Sequence, residues 1–434
     1  MEIVNYILFF ILTVIGIYYL FVQKQIGIKS AIHKDKYFLA DNYQYLFLFI
    51  LATAILAGGN IMANRLLITI ILSFLAIVLT KQNLTISITG VFYIVYLLWL
   101  VIAILYSPVK LYGFRVFLKY LYPFLIMLFA SKIANSTEFY RKVLHIIIYV
   151  ALYGVVSFFI LEKIPVVGNL FRIINFWNPA VLDFLPVVIT ICFVFYSYSK
   201  QRKYLILIVL FVIPSIVFMN RTGLLAASIT IVVFAIVRYK VKSLPYALLG
   251  VALLVGTVLY VPSVREKMFK KQLSSEEIIE RGEELTTDDI DSSGRFAMWK
   301  WSLGHFYKGK EWKGSGLGVL QHAFYTWDHP FGKLRVVHND YIQILCDTGL
   351  IGLILYGLTM FSLIIHSLII YYTKRKVPIV RLAAIISGVS LAGMLSTLYT
   401  DNVVNYSLMT LGYPFALYGM TLGLDRQYKN KNDL

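Results

Sequence analysis

Long apolar runs alternate with short polar connectors along most of this chain. About 20 apolar residues are enough for a helix to cross the hydrocarbon core of a bilayer. The pattern therefore predicts an all-α polytopic membrane protein with about 12–14 transmembrane helices and one long helical external loop. Thirteen runs are candidates, namely 3–22, 43–57, 65–80, 88–106, 114–131, 143–161, 180–198, 204–219, 222–237, 244–261, 343–371, 379–397 and 404–423.

Composition supports this interpretation. The chain is 59% hydrophobic and only 14% charged, whereas soluble domains are nearer half apolar and a quarter charged. This excludes a soluble enzyme, a disordered tail and a fibre. Cys192 and Cys346 both lie in apolar segments and indicate neither a disulfide framework nor a metal site. Run 3–22 lacks a basic leader and a small-residue cleavage site, so we interpret it as a retained first helix rather than a signal peptide.

The net charge of +18 has two explanations, nucleic-acid binding or membrane topology. Alternate connectors hold 21 basic residues, whereas the others, leaving out the long loop 262–342, hold seven. Basic residues gather in cytoplasmic connectors, so the charge predicts orientation: C-terminus inside, N-terminus and loop outside, no nucleic acid. The 21 are Lys24, Lys29, Lys34, Lys36, Lys81, Lys132, Arg141, Lys142, Lys200, Arg202, Lys203, Arg238, Lys240, Lys242, Lys374, Arg375, Lys376, Arg381, Arg426, Lys429 and Lys431.

The loop divides the chain into N-terminal helices (1–261), an external domain (262–342) and C-terminal helices (343–434). It carries 12 basic and 12 acidic residues and is therefore neutral. Ser274 and Glu277 have capping-box spacing and predict a helix over 276–285. We interpret the acidic segment 288–291 as a solvated polar break rather than a cation site.

A second loop helix is predicted after this break. Its apolar face would carry Phe296, Trp299, Leu303 and Phe306. The glycines that follow indicate a flexible turn region, and they are Gly309, Gly314, Gly316 and Gly318.

Three residues on the predicted outer side carry candidate chemistry: Arg221 in a tight turn, Arg295 at the start of the second loop helix, and His338 where the loop re-enters the membrane. A guanidinium group suits a diphosphate, and a histidine can take a proton from a hydroxyl group. Together they predict glycosyl transfer from a lipid-linked diphosphate, inverting and without a metal or other cofactor. Singly, each residue has an ordinary explanation, as an interface anchor, a solvated charge or a local cap.

The motifs around these residues resemble those of the bacterial O-antigen polymerase/ligase superfamily. The segment from Val337 to Gly352, VHNDYIQILCDTGLIG, resembles its HN-x-[YF]-[LI]…E-x-G-[LI]-x-G signature. NRTGLLA from Asn220 resembles its S-R-[TG]-x-[LA]-L turn, and GRFAMW from Gly294 its G-R-x-x-[LM]-W motif. GSGLG from Gly314 resembles the G-x-G turn that follows in the family. The resemblance covers roughly residues 215–355, with Asp347 where the family often has Glu and Asn220 where it has Ser.

The resemblance implies a multi-span inverting glycosyltransferase of the GT-C kind in the bacterial cytoplasmic (inner) membrane. Its donor and acceptor would be undecaprenyl-diphosphate-linked glycans at the periplasmic or exterior face. Whether a polysaccharide chain-length regulator is also a partner is left open by the sequence. By motif, His338 would be the catalytic base and Arg221 and Arg295 the diphosphate ligands. Supporting roles are expected for Asn339, Asp340, Tyr341, Asp347 and Asp401.

Polymerisation of polysaccharide repeat units is the leading interpretation. The alternatives are an O-antigen ligase that transfers the glycan to lipid A–core, and, from another class, a flippase for lipid-linked glycans. Secondary candidates each have two explanations. The basic residues anchor the helix ends, which is the favoured interpretation, or extend the phosphate site, and Asp183 is functional or pairs with Arg172. The histidines are solvated or packed, or one of them contacts a sugar, and the aromatic residues pack in the loop or stack on sugars. The secondary candidates are Arg65, Arg115, Lys119, Asp183, His305, His322, His329, Trp312, Tyr325 and Trp327.

Overall fold

The structure, a computed structural model, describes most of the predicted helices. It describes residues 2–21, 26–29, 37–40, 42–54, 61–80, 86–163, 184–217, 221–243, 245, 260, 294–327, 329–331, 335–406 and 408–432. The predicted run 244–261, the proposed helix 276–285, the acidic segment 288–291 and Asp183 lie, almost entirely, outside these residues.

The apolar runs that the structure describes form helices where the sequence predicted them, most of them within a few residues at each end. The helix of run 143–161 begins at Thr137, and the last helix, of run 404–423, continues to Asn432. The helices of the N-terminal part are α1 (Glu2–Phe21), α2 (Asn42–Ala52), α3 (Ile61–Leu79), α4 (Ile88–Leu105), α5 (Lys110–Ile133), α6 (Thr137–Lys163), α7 (Leu185–Ser199), α8 (Lys203–Val217) and α9 (Arg221–Tyr239). The remaining helices are α10 (Arg295–Ser302), α11 (Val319–Thr326), α12 (Asp340–Thr373), α13 (Pro378–Thr400), α14 (Val403–Tyr406) and α15 (Leu408–Asn432). By length and composition, six of the described helices can cross a membrane unaided, and four more are shorter apolar helices.

A β-hairpin and two short helical turns complete the secondary structure of the described residues. Strands β1 (Ile26–Lys29) and β2 (Tyr37–Ala40) pair antiparallel in the connector after α1. A 3₁₀ turn, Lys240–Ser243, extends α9, and a π turn, Leu303–Tyr307, extends α10. The hairpin lies in a polar connector and adds a minor β element to an all-α membrane protein.

Helices α5, α13 and α15 form the centre of the described bundle, and α12 packs against α13 and α4. Helix α15 lies directly against α5. The approach is so close that a Cβ at Gly419 would overlap the backbone of Met127 in α5, and a Cβ at Gly423 would overlap that of Ser131. Small residues allow such close helix contacts in membranes, where apolar side chains gain little by leaving lipid for protein.

Contacts between helix ends agree with the predicted charge segregation. At one end, Lys132 donates to the carbonyl oxygens of Ile77 (2.6 Å) and Thr80 (3.0 Å). Arg426 donates to the carbonyl oxygen of Ser131 (2.6 Å). Lys374 forms an ion pair with Asp425 (2.9 Å). All four cationic or anionic side chains come from connectors or helix ends that the charge pattern assigns to the cytoplasm. At the opposite end, Arg65 donates to the carbonyl of Thr53, as expected for a helix-end anchor.

The external segment has its own small core on the outer end of α12. Phe306, Phe324 and Val337 are buried there together with Met298, and Trp299 and Leu303 pack against them. The second loop helix is therefore present where predicted, as the eight residues of α10 continued by the π turn. This core fixes the position of the loop residues beside the membrane helices.

Candidate active site

His338 and Asp401 form a hydrogen-bonded pair at the end of the bundle opposite the basic connectors. His338 Nδ1 lies 3.0 Å from Asp401 Oδ1, and the two side chains are 17% and 23% exposed. His338 has a positive φ of 52° just before α12, and Asn339 caps that helix by accepting from the amide of Ile342 at 3.0 Å. The strained residue and the cap turn the chain sharply, so that the imidazole lies next to the end of α13.

Asp401 is held in its charged form. Burial alone would raise the pKa of its carboxyl group. The hydrogen bond with His338, the amide of Asn402 at 2.7 Å and the charge of Arg295 outweigh burial and bring the pKa below its ordinary value. A carboxylate in this position fixes the orientation of the imidazole and stabilises the imidazolium that forms when the ring takes a proton.

The depressed pKa predicts a pH dependence of stability. A group whose folded pKa is lowered stabilises the protein above its unfolded pKa of about 3.9, and that contribution is lost as the pH falls through the folded value. We expect Asp401→Asn to lower the Tm in detergent at neutral pH. The gap between variant and wild type should shrink below about pH 4, where the Asp401 carboxylate is protonated. A gap that persists undiminished well below about pH 4 would contradict this assignment.

The carbonyl group of Thr400 connects the three sequence motifs. It accepts a hydrogen bond from Arg295 Nη1 and another, at 3.4 Å, from the hydroxyl of Thr222. Arg221 precedes Thr222 as the first residue of α9, although its side chain lies outside the part of the chain that the structure describes. The end of α13 thus brings Arg295 and the N-terminus of α9 to the turn that carries Asp401.

One indole group and one phenol group hold the chain in place on either side of His338. Trp299 Nε1 donates to the carbonyl oxygen of Val337 at 2.9 Å, and Tyr341 Oη donates to that of Leu395 at 2.9 Å. The Trp299 ring also contacts Phe296 and Tyr399, with centroid distances of 5.3 and 5.8 Å. Tyr341 therefore supports the site by joining α12 to α13.

Asp340 and Asp347 are buried supports rather than exposed reactive groups. Asp340 Oδ2 accepts from the amide of Val404 at 3.4 Å, which ties the turn after Asp401 to the start of α12. Asp347 accepts from the amides of Gly318 and Leu320, both at 3.0 Å, and so caps the N-terminus of α11. Asp347 can do this with a shorter side chain than the Glu that is frequent in the family signature.

The glycine-rich turn of the loop is inserted into a break in α12. Gly349 has φ 68° and ψ −168°, which interrupts the helix. The amides of Leu350 and Ile351 donate to the carbonyls of Glu311 (2.8 Å) and Trp312 (3.2 Å). The carbonyls of Cys346 and Asp347 accept from Ser315 and Gly316, both at 2.9 Å. This segment was expected to be flexible, and the expectation is wrong: its backbone is hydrogen-bonded to both halves of the broken helix.

A cluster of amide side chains beneath the His338–Asp401 pair was not predicted. Asn402 and Asn405 both donate to Gln343 Oε1 at 2.9 Å, and Asn405 also accepts from Lys119. None of these residues belongs to a family motif. The one usable signal was the polar position Gln343, one turn after Asp340 on the same face of α12.

The secondary candidates occupy different surroundings. His305 and His329 pack on the Trp301 ring, at centroid distances of 4.6 and 6.1 Å, and so contribute to the loop core. The remaining aromatic candidates have exposed rings, and they are Trp312, Tyr325 and Trp327. Among the described residues, no three His, Cys, Asp or Glu side chains form a group that could hold a metal ion.

Comparison with known families identifies the segment that contains this site. A family model described as O-antigen ligase matches residues 218–357, which include Arg221, Arg295 and His338. Residues 218–357 belong to the O-antigen ligase/polymerase superfamily. No curated protein matches the chain. The matched residues agree with the range of the motif resemblance, and the apolar helices on both sides of the match show a multi-pass membrane protein.

Proposed function

We propose that the protein is an inverting glycosyltransferase that polymerises undecaprenyl-diphosphate-linked repeat units. The pairing of His338 with Asp401, beside Arg295 and inside the matched segment, supports this proposal most strongly. The site would face the periplasm or exterior of a bacterial cytoplasmic membrane, because it lies at the end of the bundle opposite the basic connectors. Donor and acceptor would both be lipid-linked glycans.

The chemistry follows from the residues. A hydroxyl oxygen of the acceptor sugar forms the new bond to the anomeric carbon of the donor, while the bond from that carbon to the diphosphate oxygen breaks. His338 takes the hydroxyl proton through Nε2, with Asp401 on Nδ1 stabilising the imidazolium. The diphosphate leaves with the bonding electron pair, and Arg295 and Arg221 offset its negative charge. We propose that these guanidinium groups supply the positive charge that the reaction requires without a metal ion.

A ligase is the second candidate, because the matched family is described as O-antigen ligase. The two functions share this chemistry and differ in the acceptor. Incubating the purified protein in detergent with lipid-linked repeat unit alone distinguishes them. A polymerase is expected to form a ladder of oligomers on carrier lipid, visible by gel electrophoresis. Transfer that occurs only after lipid A–core is added would reject the polymerase and favour the ligase.

A further inference from the structure

Lys119 places a positive charge inside the outer part of the bundle. It lies nine residues after the start of α5, about two and a half helical turns. Its ammonium group donates to the side-chain oxygen of Asn405 and, at 3.4 Å, to that of Gln321, and both partners are neutral amides. Ionisable side chains in membrane-spanning helices are rare and usually mark substrate binding or transport. This lysine is therefore a candidate ligand-binding group.

Lys119 and the polar side chains beside it form what we call the α5–α11 patch. The patch consists of Arg115, Lys119, Gln321 and His322. Arg115 is exposed, one turn before Lys119 on the same face of α5, and its guanidinium lies 5.3 Å from the centre of the Tyr112 ring. The Tyr112 ring also contacts His322 in a T-shaped arrangement, at a centroid distance of 4.8 Å.

Among the described residues, no carboxylate forms an ion pair with Arg115 or Lys119. The His338–Asp401 and Lys374–Asp425 pairs both lie outside the patch. Asp340 and Asp347 act on Lys119 from a distance, but their hydrogen-bonded oxygens accept from backbone amides. The partly exposed side chains of this patch therefore suit an anionic ligand.

The patch and Arg295 lie at opposite ends of the turn 400–405. Arg295 donates to the carbonyl of Thr400 at one end, and Lys119 donates to Asn405 at the other. Asp401, with its partner His338, lies between them along the turn. In an inverting displacement, the nucleophile approaches the anomeric carbon from the face opposite the leaving group. If Arg295 holds the leaving diphosphate, the patch is on the side from which the acceptor arrives.

We propose that the α5–α11 patch binds an anionic group of the carrier-linked acceptor and thereby directs its hydroxyl toward His338. The proposal rests on the proposed function for the identity of donor and acceptor. The anionic group is a carboxylate of an acidic sugar or the diphosphate of the acceptor's own carrier, and the experiment below separates these two sources.

The test measures transfer from radiolabelled carrier-linked repeat unit to an excess of one of three acceptors. The first is the carrier-linked repeat unit itself, isolated from cells that lack the polymerase. The second is the same material with its carboxylates reduced to alcohols, and the third is the glycan released from its diphosphate by mild acid. Lys119→Met and Arg115→Met are compared with Lys300→Met, which removes an exposed positive charge of α10 outside the patch.

Lys119→Met is expected to raise the acceptor KM about tenfold, with kcat little changed, for acceptors that carry the recognised anion. The acceptor that lacks this anion should show no such increase, which identifies the source. Lys119→Arg should retain most of the wild-type KM, Arg115→Met should act in the same direction as Lys119→Met, and Lys300→Met should behave as wild type. Equal KM values of the wild type for all three acceptors, or a lower kcat with unchanged KM in Lys119→Met, would overturn the proposal.

A binding measurement tests the patch independently of the proposed function. Equilibrium binding of the fluorescently labelled acceptor to the wild type and to Lys119→Met requires no turnover. Weaker binding by the variant supports the patch even where no polymer forms, and equal binding rejects it. Absence of transfer by the wild type to every acceptor, in contrast, counts against the glycosyltransferase itself.

Discussion

His338→Ala is expected to abolish polymer formation while the protein remains folded and in the membrane. Loss of a general base typically lowers a rate by about 10² to 10⁴-fold, and here the variant also leaves the Asp401 carboxylate without its partner. The rate of oligomer formation from lipid-linked repeat unit, with purified protein, measures the effect. His305→Ala is the matched control, because His305 belongs to the same external domain but packs on Trp301, and it should retain activity.

The same variant separates an enzyme from a flippase. In cells, a transferase without its base should let lipid-linked repeat units accumulate at the outer face of the membrane, where an impermeant label reaches them. A flippase has no need of a base and should be unaffected. Normal polymer from His338→Ala would remove this residue as the base. Normal polymer together with a normal level of outer-face substrate in this variant would favour the flippase.

Gly349→Ala is expected to cause the largest loss of stability. Gly349 has φ 68°, and a Cβ there would overlap the carbonyl group of Trp312. The strained conformation and the displaced loop together should cost about 3 kcal/mol or more, because the hydrogen bonds to Glu311 and Trp312 cannot form at their present geometry. Thermal unfolding in detergent should show a much lower Tm, and transferase activity should be lost with it.

Gly357→Ala is the control for this substitution. Gly357 lies two turns further along the same helix, and a Cβ there meets no atom within 4 Å. Alanine is the better helix former by about 1 kcal/mol, so this variant should be unchanged or slightly more stable. Equal Tm values for the two variants would contradict the break at Gly349 as the structure shows it.

The helices were predictable because the signal for each is local. Burial in lipid requires an unbroken apolar run, and its ends are marked by polar connectors, as for α4 and α13. The candidate site was predictable only as a set of motifs on one side of the membrane. The pairing of His338 with Asp401 joins residues 63 positions apart, and Arg295 reaches a carbonyl 105 positions away. Those contacts depend on the packing of α10, α12 and α13, and the local periodicity of the sequence does not encode this packing.

The break in α12 was missed for a related reason. Residues 343–371 read as one continuous apolar run, and a single glycine within such a run is usually tolerated in a helix. The break in the helix depends on the loop segment 311–316, whose backbone replaces the hydrogen bonds of the missing turn. Of the glycines that were predicted to be flexible, Gly314 allows the loop to approach α12, because a Cβ there would overlap backbone atoms of Asp347, Thr348 and Gly349.

The inserted segment constrains how large substrates can enter and leave. Lifting residues 311–316 from α12 would leave four backbone groups of the broken helix, at Cys346, Asp347, Leu350 and Ile351, without their partners at the edge of the hydrocarbon region. Each such group costs several kcal/mol in lipid. This part of the loop is therefore a fixed wall of the bundle rather than a lid. Under the proposed function, a lipid-linked glycan would reach His338 by another route, and the product chain would leave the site while this wall stays closed.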